Sequence, residues 1–429
     1  MFKRMATLLL CLVTAAGMLT GCGSSGSAEA QNVNVPQTQQ DTVTELWFYY
    51  PTQVGGDLAN GMEEIVAEFN ESHPDIRVTA VYSGSYKQTV QKAMSDLAAG
   101  NGPNVILSGM LDIVDYYDVD MLEDITPLIE AEGDEWKNDF VDGFWGNFVM
   151  ADGGTYGLPF QHSVCVLFYN KDMLDAAGVG VPSTWDEILQ AEEALAAWDD
   201  SVVPIEFPSN VWVLEALTLS NGGNLIAGNE ETTFNSPAAV DSLDLMDKLI
   251  EGGGMINSYA SAAEDFVAES CAMTFNTTGN MGFVASDATF AWDVAMVPVN
   301  NEPVFSYGGG GLVMTAGQTE EQKAASWEFM KYMTSPEVSA KWMDVSGYFA
   351  VRKSASDLDQ VKEYYEQNPQ MQHAADLLQY TQAQWSTKNY WDVYACMQTA
   401  LDSVLIDESV PADEALEKAQ NEAMAVLEG

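Results

Sequence analysis

The feature that most constrains the fold is a regular alternation of strand-like and helix-like segments that begins at Thr44. Thr44–Tyr50, Ile76–Tyr82 and residues 105–107 are rich in β-branched and aromatic residues, which favours strands. Between them, residues 57–69 and 88–98 carry apolar side chains at helical spacing. A strand–helix–strand–helix–strand order predicts a parallel sheet with helical crossovers. The sequence therefore predicts an α/β fold.

The alternation continues through the second half of the chain. Residues 164–169 (VCVLFY) form a strand of the buried type, and Ser183 or Thr184 is expected to cap the helix that follows. A run of four glycines, residues 308–311, is predicted to form a loop before a helical C-terminal third. A chain of 429 residues exceeds what one hydrophobic core usually serves, so two domains are expected.

The charge balance excludes several classes of function. Lys and Arg number 16 against 64 Asp and Glu, which gives a formal net charge of −48. Such a surface repels nucleic acid, whose binding depends on cations that neutralise phosphates. It is also repelled by anionic lipid. Hydrophobic residues make up 47% of the chain, so it is not an acidic disordered protein.

The N-terminus has the pattern of a secretion and anchoring signal. Lys3 and Arg4 precede an apolar run over residues 6–19, which is too short to span a bilayer. The run ends in Leu-Thr-Gly-Cys22, which looks like a bacterial lipobox. We therefore expect residues 1–21 to be a signal peptide, Cys22 to carry the lipid, and residues 22–42 to be a flexible tether. This places the protein on the extracellular face of a bacterial membrane. The alternative is an ordinary secretory signal that happens to contain a cysteine.

The remaining cysteines indicate neither a disulfide framework nor a metal site. Cys165, Cys271 and Cys396 are odd in number and show no CxxC spacing. At most one bridge can form among them, and buried free thiols are expected. No cofactor or metal is predicted.

Five segments together carry a family resemblance. They are residues 69–75 (FNESHPD), 157–160 (GLPF), 168–172 (FYNKD), 182–187 (PSTWDE) and 271–274 (CAMT). In this order they resemble the extracellular solute-binding proteins of ABC importers. Residues 81–86 (VYSGSY), the glycine run and residues 346–348 (SGY) resemble in particular the glycerol-3-phosphate-binding branch.

The resemblance implies a two-lobe, periplasmic-binding-protein-like (type II) fold in which a hinged cleft closes on the ligand. The first lobe is then expected to comprise residues 43–160 and 297–336, and the second residues 161–296 and 337–429. The chain is expected to cross from one lobe to the other near Phe160, Met296 and Pro336. The implied protein is a monomer and not an enzyme. Its partners are a small-molecule ligand and the transmembrane subunits of a permease.

The resemblance also implies ligand-binding residues. Tyr86, Ser163 and Trp212 match ligand-contacting positions of the family, whereas His162 departs from a family hydroxyl residue. An equally simple interpretation of His162 is a hinge histidine bonded to the backbone.

Further candidates follow from the residues themselves. Thr278 and Asn280 lie between a strand and a helix, where hydroxyl and backbone N–H groups bind oxygen-rich ligands. Gly309 and Gly310 allow the backbone to approach a ligand closely. Tyr348 offers a hydroxyl. Trp47, near the end of the first strand, is equally well explained as a core residue.

The cations available favour a carbohydrate ligand. The family branch binds phosphate through an arginine in its C-terminal third. The corresponding residues 386–392 (STKNYWD) contain no arginine, and Lys388 is their one positively charged residue. Beyond the signal peptide, Arg77 and Arg352 are the only arginines, so a bidentate phosphate fork is nearly excluded. The predicted ligand is a mono- or oligosaccharide. Glycerol-3-phosphate or a glycerophosphodiester is the alternative.

A secreted glycosidase is the more distant alternative, but nothing in the sequence is specific to it. The chain has no HExxH, GxSxG or P-loop motif. One acidic stretch contains Asp112, Asp115, Asp118 and Asp120. These residues do not follow the Asp-x-Asp-x-Asp-Gly pattern of a calcium-binding loop, so a solvated acidic face is predicted.

Overall fold

A computed structural model describes residues 43–51, 57–227 and 231–428. The predicted signal peptide, Cys22 and the tether lie outside these residues. The strands are β1 (Thr44–Tyr50), β2 (Ile76–Tyr82), β3 (Val105–Gly109), β4 (Gly157–Asn170), β5 (Val203–Phe207), β6 (Met255–Ile256), β7 (Cys271–Thr277), β8 (Trp292–Met296), β9 (Phe305–Met314) and β10 (Thr381–Gln382).

The helices alternate with these strands over most of the chain. They are α1 (Asp57–Ser72), α2 (Tyr86–Ala98), α3 (Ile113–Tyr117), α4 (Thr126–Glu132), α5 (Asp134–Asn138), α6 (Lys171–Ala177), α7 (Trp185–Trp198), α8 (Val211–Ser220), α9 (Pro237–Glu251), α10 (Tyr259–Val267), α11 (Met281–Asp287), α12 (Glu320–Met333), α13 (Pro336–Ser346), α14 (Asp359–Gln367), α15 (Pro369–Asp376), α16 (Tyr390–Leu405) and α17 (Ala412–Glu428). Short 3₁₀ helices cover Asp142–Phe148, Thr278–Asn280, Lys353–Asp357 and Leu377–Tyr380. The predicted α/β class is confirmed.

The strand order is β2-β1-β3-β9-β4-β7-β5-β6, with β8 paired to β4 and β10 to β9. The βαβαβ prediction holds at one end, because β1 lies between β2 and β3 and is parallel to both. At the other end β5 is parallel to β6 and β7. Both groups therefore have the parallel pairing that helical crossovers produce.

The long strands β4 and β9 link the two ends of the sheet. The first half of β4 runs antiparallel to β9, and its second half pairs with β7 and β8. All 14 residues of β4 are buried, and its register with β9 shifts between Pro159 and Gln161. This shift lies at the predicted first crossing, while the proposed lobe boundaries stay a prediction.

Local capping fixes where two of the helices begin. Thr184 caps α7 and exchanges hydrogen bonds with Glu187 in a capping box, which agrees with the sequence. A second box joins Ser85 and Gln88, so α2 begins at Tyr86 rather than at the predicted residue 88. Tyr86 is therefore held at the first position of a helix.

The three cysteines within the described residues are free thiols, and Cys165 and Cys271 are buried. In that part of the chain every helix is too short or too polar to cross a bilayer. The same residues include no group of three or more acidic, histidine or cysteine side chains placed to hold a metal ion.

Candidate functional site

A cleft of about 320 Å³ lies where β3 and β7 end and where β4 and β9 pass between the two ends of the sheet. Six aromatic side chains line it: Tyr86, Trp212, Tyr259, Tyr348, Trp391 and Tyr394. Its polar lining consists of Asp112, Ser163, Asn210, Thr277, Asn280 and Gln384. The cleft thus combines aromatic surfaces with hydrogen-bonding groups, the composition of a site for a small polar molecule.

The first wall of the cleft is built beyond the carboxyl end of β3. Parallel strands place ligands at this end, where loops follow them. Gly109 ends β3, and Asp112 follows within the same turn. Tyr86, at the start of α2, faces the same space, and its hydroxyl accepts a hydrogen bond from Gln161 Nε2 at 2.6 Å. The hydroxyl is thereby fixed toward the cleft.

Trp212 also lines the cleft, and hydrogen bonds hold both its backbone and its indole ring. Asn210 caps α8 and accepts the Trp212 backbone N–H at 2.8 Å. The indole Nε1 donates to Ser306 Oγ at 3.0 Å, and Ser306 Oγ donates to Glu215 Oε2 at 2.9 Å. Burial raises the pKa of Glu215 to about 8. The indole orientation is therefore fixed by a buried network.

Asp112 is the one carboxyl group in the described lining of the cleft. It is 1% exposed, and its Oδ1 accepts a hydrogen bond from Trp391 Nε1 at 2.7 Å. Its Oδ2 is buried and has no hydrogen-bond partner among the described residues. Burial raises the pKa of Asp112 to about 8. Asp112 is therefore a buried acid at the edge of the cleft, with one oxygen bound to Trp391 and the other unpaired among the described residues.

The glycine run belongs to β9 rather than to the predicted loop. Gly309 has a φ of +129°, and a Cβ there would collide with the Gln161 carbonyl oxygen. A Cβ on Gly310 would collide with the Ser108 carbonyl and lie 3.0 Å from the Tyr86 hydroxyl. At Gly308 a Cβ would lie 2.8 Å from the Trp212 ring. The glycines are required because β3, β4 and Trp212 pack directly on this strand.

The structure brings six of the eleven predicted binding residues together in the lining of this cleft. They are Tyr86, Ser163, Trp212, Asn280, Gly309 and Tyr348. Gly310 does not line it, but it leaves room for the Tyr86 hydroxyl. The other four predicted residues lie elsewhere.

His162 and Thr278 are enclosed by protein. The His162 ring is fully buried and stacks on Phe144 with centroids 3.9 Å apart, and its two nitrogens have no partner among the described residues. Burial lowers the pKa of His162 to about 3, so the ring is neutral. Thr278 Oγ1 accepts a hydrogen bond from the Val164 backbone N–H at 3.1 Å, so this hydroxyl binds to β4 and not to a ligand. Thr277, its neighbour, lines the cleft instead.

Trp47 and Lys388 line other depressions. Trp47 is 50% exposed and lies beside Asn104, because the alternation of β1 turns its side chain outward. Lys388 lines a separate chamber next to the cleft. Neither side chain forms part of the cleft lining.

The acidic-face prediction is wrong for Asp112. Asp118 and Asp120 are exposed as expected, but the start of α3 turns Asp112 into the protein, where Trp391 covers it. Sequence reasoning also missed Asn210, Tyr259, Gln384 and Tyr394 as residues of the cleft. Asn210 carried a signal, because it precedes Trp212 and a helical run and is thus a typical N-cap.

The cleft contains no positive side chain among its described lining residues. A lysine does lie near its rim, with Lys87 Nζ 5.8 Å from the centre of the Trp391 ring. The described lining itself therefore offers neutral dipoles and one carboxyl group, which burial keeps protonated below about pH 8.

Comparison with known proteins gives the following relationships. Residues 64–373 match the family model described as bacterial extracellular solute-binding protein. The sn-glycerol-3-phosphate-binding periplasmic protein UgpB of Salmonella typhimurium is 25% identical over 355 residues, which cover 76% of this chain and 78% of the relative. UgpB of Escherichia coli (strain K12) is 23% identical over 379 residues, covering 83% and 82%.

Solved structures share the fold. UgpB from Mycobacterium tuberculosis in complex with glycerophosphocholine superposes with a TM-score of 0.80 at 20% identity, covering 90% of this chain and 98% of that one. Lmo0181 from Listeria monocytogenes in complex with cycloalternan gives 0.78 at 22% identity, with 90% and 99% covered. Maltose-bound T. maritima MalE3 gives 0.78 at 19% identity, with 90% and 100% covered.

Proposed function

Because the chain belongs to the bacterial extracellular solute-binding proteins, which serve ABC importers, we propose that its cleft captures a neutral saccharide for import. The observation that carries this proposal is the lining of the cleft. Aromatic faces cover the C–H surface of a sugar, while amides, hydroxyls and a carboxyl group replace the water bound to its hydroxyls. The absence of Lys and Arg from the described lining suits an uncharged ligand.

A glycerophosphate ester is the second candidate. It is favoured by the sequence relatives named for sn-glycerol-3-phosphate and by the structural neighbour bound to glycerophosphocholine. The neighbours bound to cycloalternan and maltose favour a saccharide. The described lining weighs against the phosphate, since it contains no Lys or Arg to pair with that group.

We propose binding without catalysis. Most glycosidases use two carboxyl groups, one on either side of the bond that is hydrolysed. The described lining of the cleft provides only Asp112.

Calorimetric titration of residues 43–429 with neutral saccharides and with sn-glycerol-3-phosphate tests the proposal. We expect a neutral saccharide to bind with an affinity that barely changes between low and high salt, because no ion pair is formed for salt to screen. Binding of sn-glycerol-3-phosphate alone, weakened steeply by salt, would overturn the proposal.

We also propose that Cys22 anchors the protein to the outer face of the membrane through a lipid. Replacing Cys22 by Ser is expected to leave the protein unprocessed or released, because the hydroxyl cannot take the thioether-linked lipid. Membrane fractionation and mass spectrometry of the N-terminus provide the measurement. An acylated, membrane-bound Cys22→Ser protein would contradict the anchor.

A further inference from the structure

Two buried polar residues, Ser306 and Glu215, lie behind the cleft rather than in its lining. Ser306 is the second residue of β9 and is fully buried, and Glu215, on α8, is 1% exposed. Neither belongs to the described lining of the cleft. A buried carboxyl group loses its hydration, and the hydrogen bonds that it makes in the fold have to compensate for that loss. The partners of Glu215 therefore indicate what this group does.

The hydrogen bonds that join Trp212, Ser306 and Glu215 run in one direction. An indole N–H can only donate, so Ser306 Oγ must accept the bond from Trp212 Nε1 at 3.0 Å. The serine hydroxyl has one proton of its own, which it donates to Glu215 Oε2 at 2.9 Å. The carboxyl group therefore fixes the rotation of the hydroxyl and leaves the lone pairs of Ser306 Oγ for the indole.

Strand β9 holds this hydroxyl in a fixed place against the indole. The backbone of Ser306 is paired with Gln382 of β10. Two positions further along β9, Gly308 packs on the ring of Trp212, where a Cβ would lie 2.8 Å from the nearest ring atom. The same strand thus supplies a flat surface for the ring and an acceptor for its N–H group.

Glu215 is itself fixed by a second hydrogen bond. Its Oε1 accepts the backbone N–H of Trp385 at 3.3 Å, and Gln384, the residue before Trp385, lines the cleft. The carboxyl group is therefore anchored between α8 and the segment that carries Gln384.

A fixed indole matters for affinity because of conformational entropy. A side chain that moves in the free protein has to be immobilised when a ligand binds against it, and this immobilisation weakens binding. Trp212 is only half-buried, so packing covers just part of its ring. The hydrogen bond to Ser306 is what restricts the remaining motion.

We propose that Ser306 is a positioning residue of the cleft: its hydroxyl, oriented by Glu215, holds the Trp212 indole in the orientation that the ligand meets. Ser306 itself touches no ligand. The proposal rests on the proposed saccharide function and deepens it by naming a residue outside the cleft that sets the affinity. The alternative is that Ser306 only provides a partner for the buried Glu215.

A double-mutant cycle separates these two roles. Calorimetry at one pH compares the wild type, Ser306→Ala, Trp212→Phe and the double variant, with whichever of maltose, cellobiose, lactose and raffinose binds the wild type most tightly. Ser306→Ala should weaken binding about five- to tenfold, the equivalent of one hydrogen bond. In the Trp212→Phe protein, which has no indole N–H, the same substitution should weaken binding no further.

The indole N–H signals in NMR spectra of ¹⁵N-tryptophan-labelled protein provide a measurement that needs no ligand. The Trp212 signal is the one that Trp212→Phe removes. In Ser306→Ala this signal should shift and exchange faster with solvent, because the N–H has lost its acceptor. If Ser306→Ala does not fold, Ser306→Cys gives the same comparison, since a thiol fills the space but is a weak acceptor.

Ser326→Ala is the matched control. Ser326, on α12, is also fully buried, and its hydroxyl donates to Gln318 Oε1 at 2.8 Å outside the described lining of the cleft. Its loss should lower the melting temperature about as much as Ser306→Ala does, but change neither the affinity nor the Trp212 signal.

Three results would overturn the positioning role: unchanged affinity in a folded Ser306→Ala protein, an equal loss of affinity in the Trp212→Phe background, or an unmoved Trp212 signal. Each of them leaves the proposed function intact. Failure of every saccharide to bind the wild type overturns the proposed function itself, and the Trp212 signal then still decides whether Ser306 holds the ring.

Discussion

Replacing Trp212 by alanine is expected to weaken saccharide binding by about 30-fold or more. The indole lines the cleft and is fixed by Ser306 Oγ at 3.0 Å, so it presents a rigid aromatic surface at no further cost in conformational freedom. Truncation of such an aromatic anchor typically costs about 2 kcal/mol or more in binding free energy. Calorimetric titration of the wild type and the variant provides the comparison.

Trp198→Ala is the matched control for this substitution. Trp198 is the last residue of α7 and is 41% exposed, so its loss should leave the affinity unchanged. The Trp212→Ala protein should still unfold cooperatively, because Trp212 is only half-buried. Unchanged affinity in a stably folded Trp212→Ala protein would remove the indole from the site.

The sequence predicted the framework of the fold because its signals are local. The first two strands, Thr44–Tyr50 and Ile76–Tyr82, have the predicted bounds, since each is a compact run of β-favouring residues between turn signals. The Thr184 cap was equally predictable, because N-cap chemistry involves only the next three residues. The glycine run was located correctly but assigned to a loop, since its close packing on β3, β4 and Trp212 is a tertiary property.

The site was predictable only in part because side-chain depth is not a local property. Asp112 and Asp118 belong to one acidic stretch, yet Asp112 is buried beneath Trp391, which lies 279 positions later. Lys388 and Trp391 belong to one short segment, but α16 begins at Tyr390 between them. Trp391 consequently lines the cleft, whereas Lys388 lines the separate chamber next to it.

A second large effect is expected in the pH dependence of binding. Burial raises the pKa of Asp112 to about 8, so the ligand-free protein holds this proton below that pH. Oδ2 is covered in the ligand-free protein, and we expect closure of the cleft to bring a saccharide hydroxyl to it. A hydroxyl that donates to Oδ2 stabilises the carboxylate, lowers the pKa in the complex and releases the proton. Affinity should then rise by about tenfold or more between pH 6 and 8 and level off above pH 8.

Asp112→Asn isolates the contribution of this group. The amide keeps an acceptor for Trp391 Nε1 but does not titrate, so the pH dependence should flatten. Asp115 lies nearby, and burial raises its pKa to about 6, but it is present in both proteins and its contribution cancels in the comparison. The variant should also bind the saccharide more weakly at pH 8, because the charged acceptor is lost.

The pH profile of affinity from 7 to 9, measured by calorimetry on the wild type and Asp112→Asn, tests most directly whether the cleft is a saccharide site. A hydroxyl-bearing neutral ligand should bind the wild type more tightly as pH rises to about 8, and Asp112→Asn should abolish that rise. An anionic phosphate ligand favours the protonated acid, and its own second ionisation, near pH 6, is complete in this range. Tight binding of sn-glycerol-3-phosphate that weakens from pH 7 to 9 in the wild type, but not in Asp112→Asn, would contradict the account.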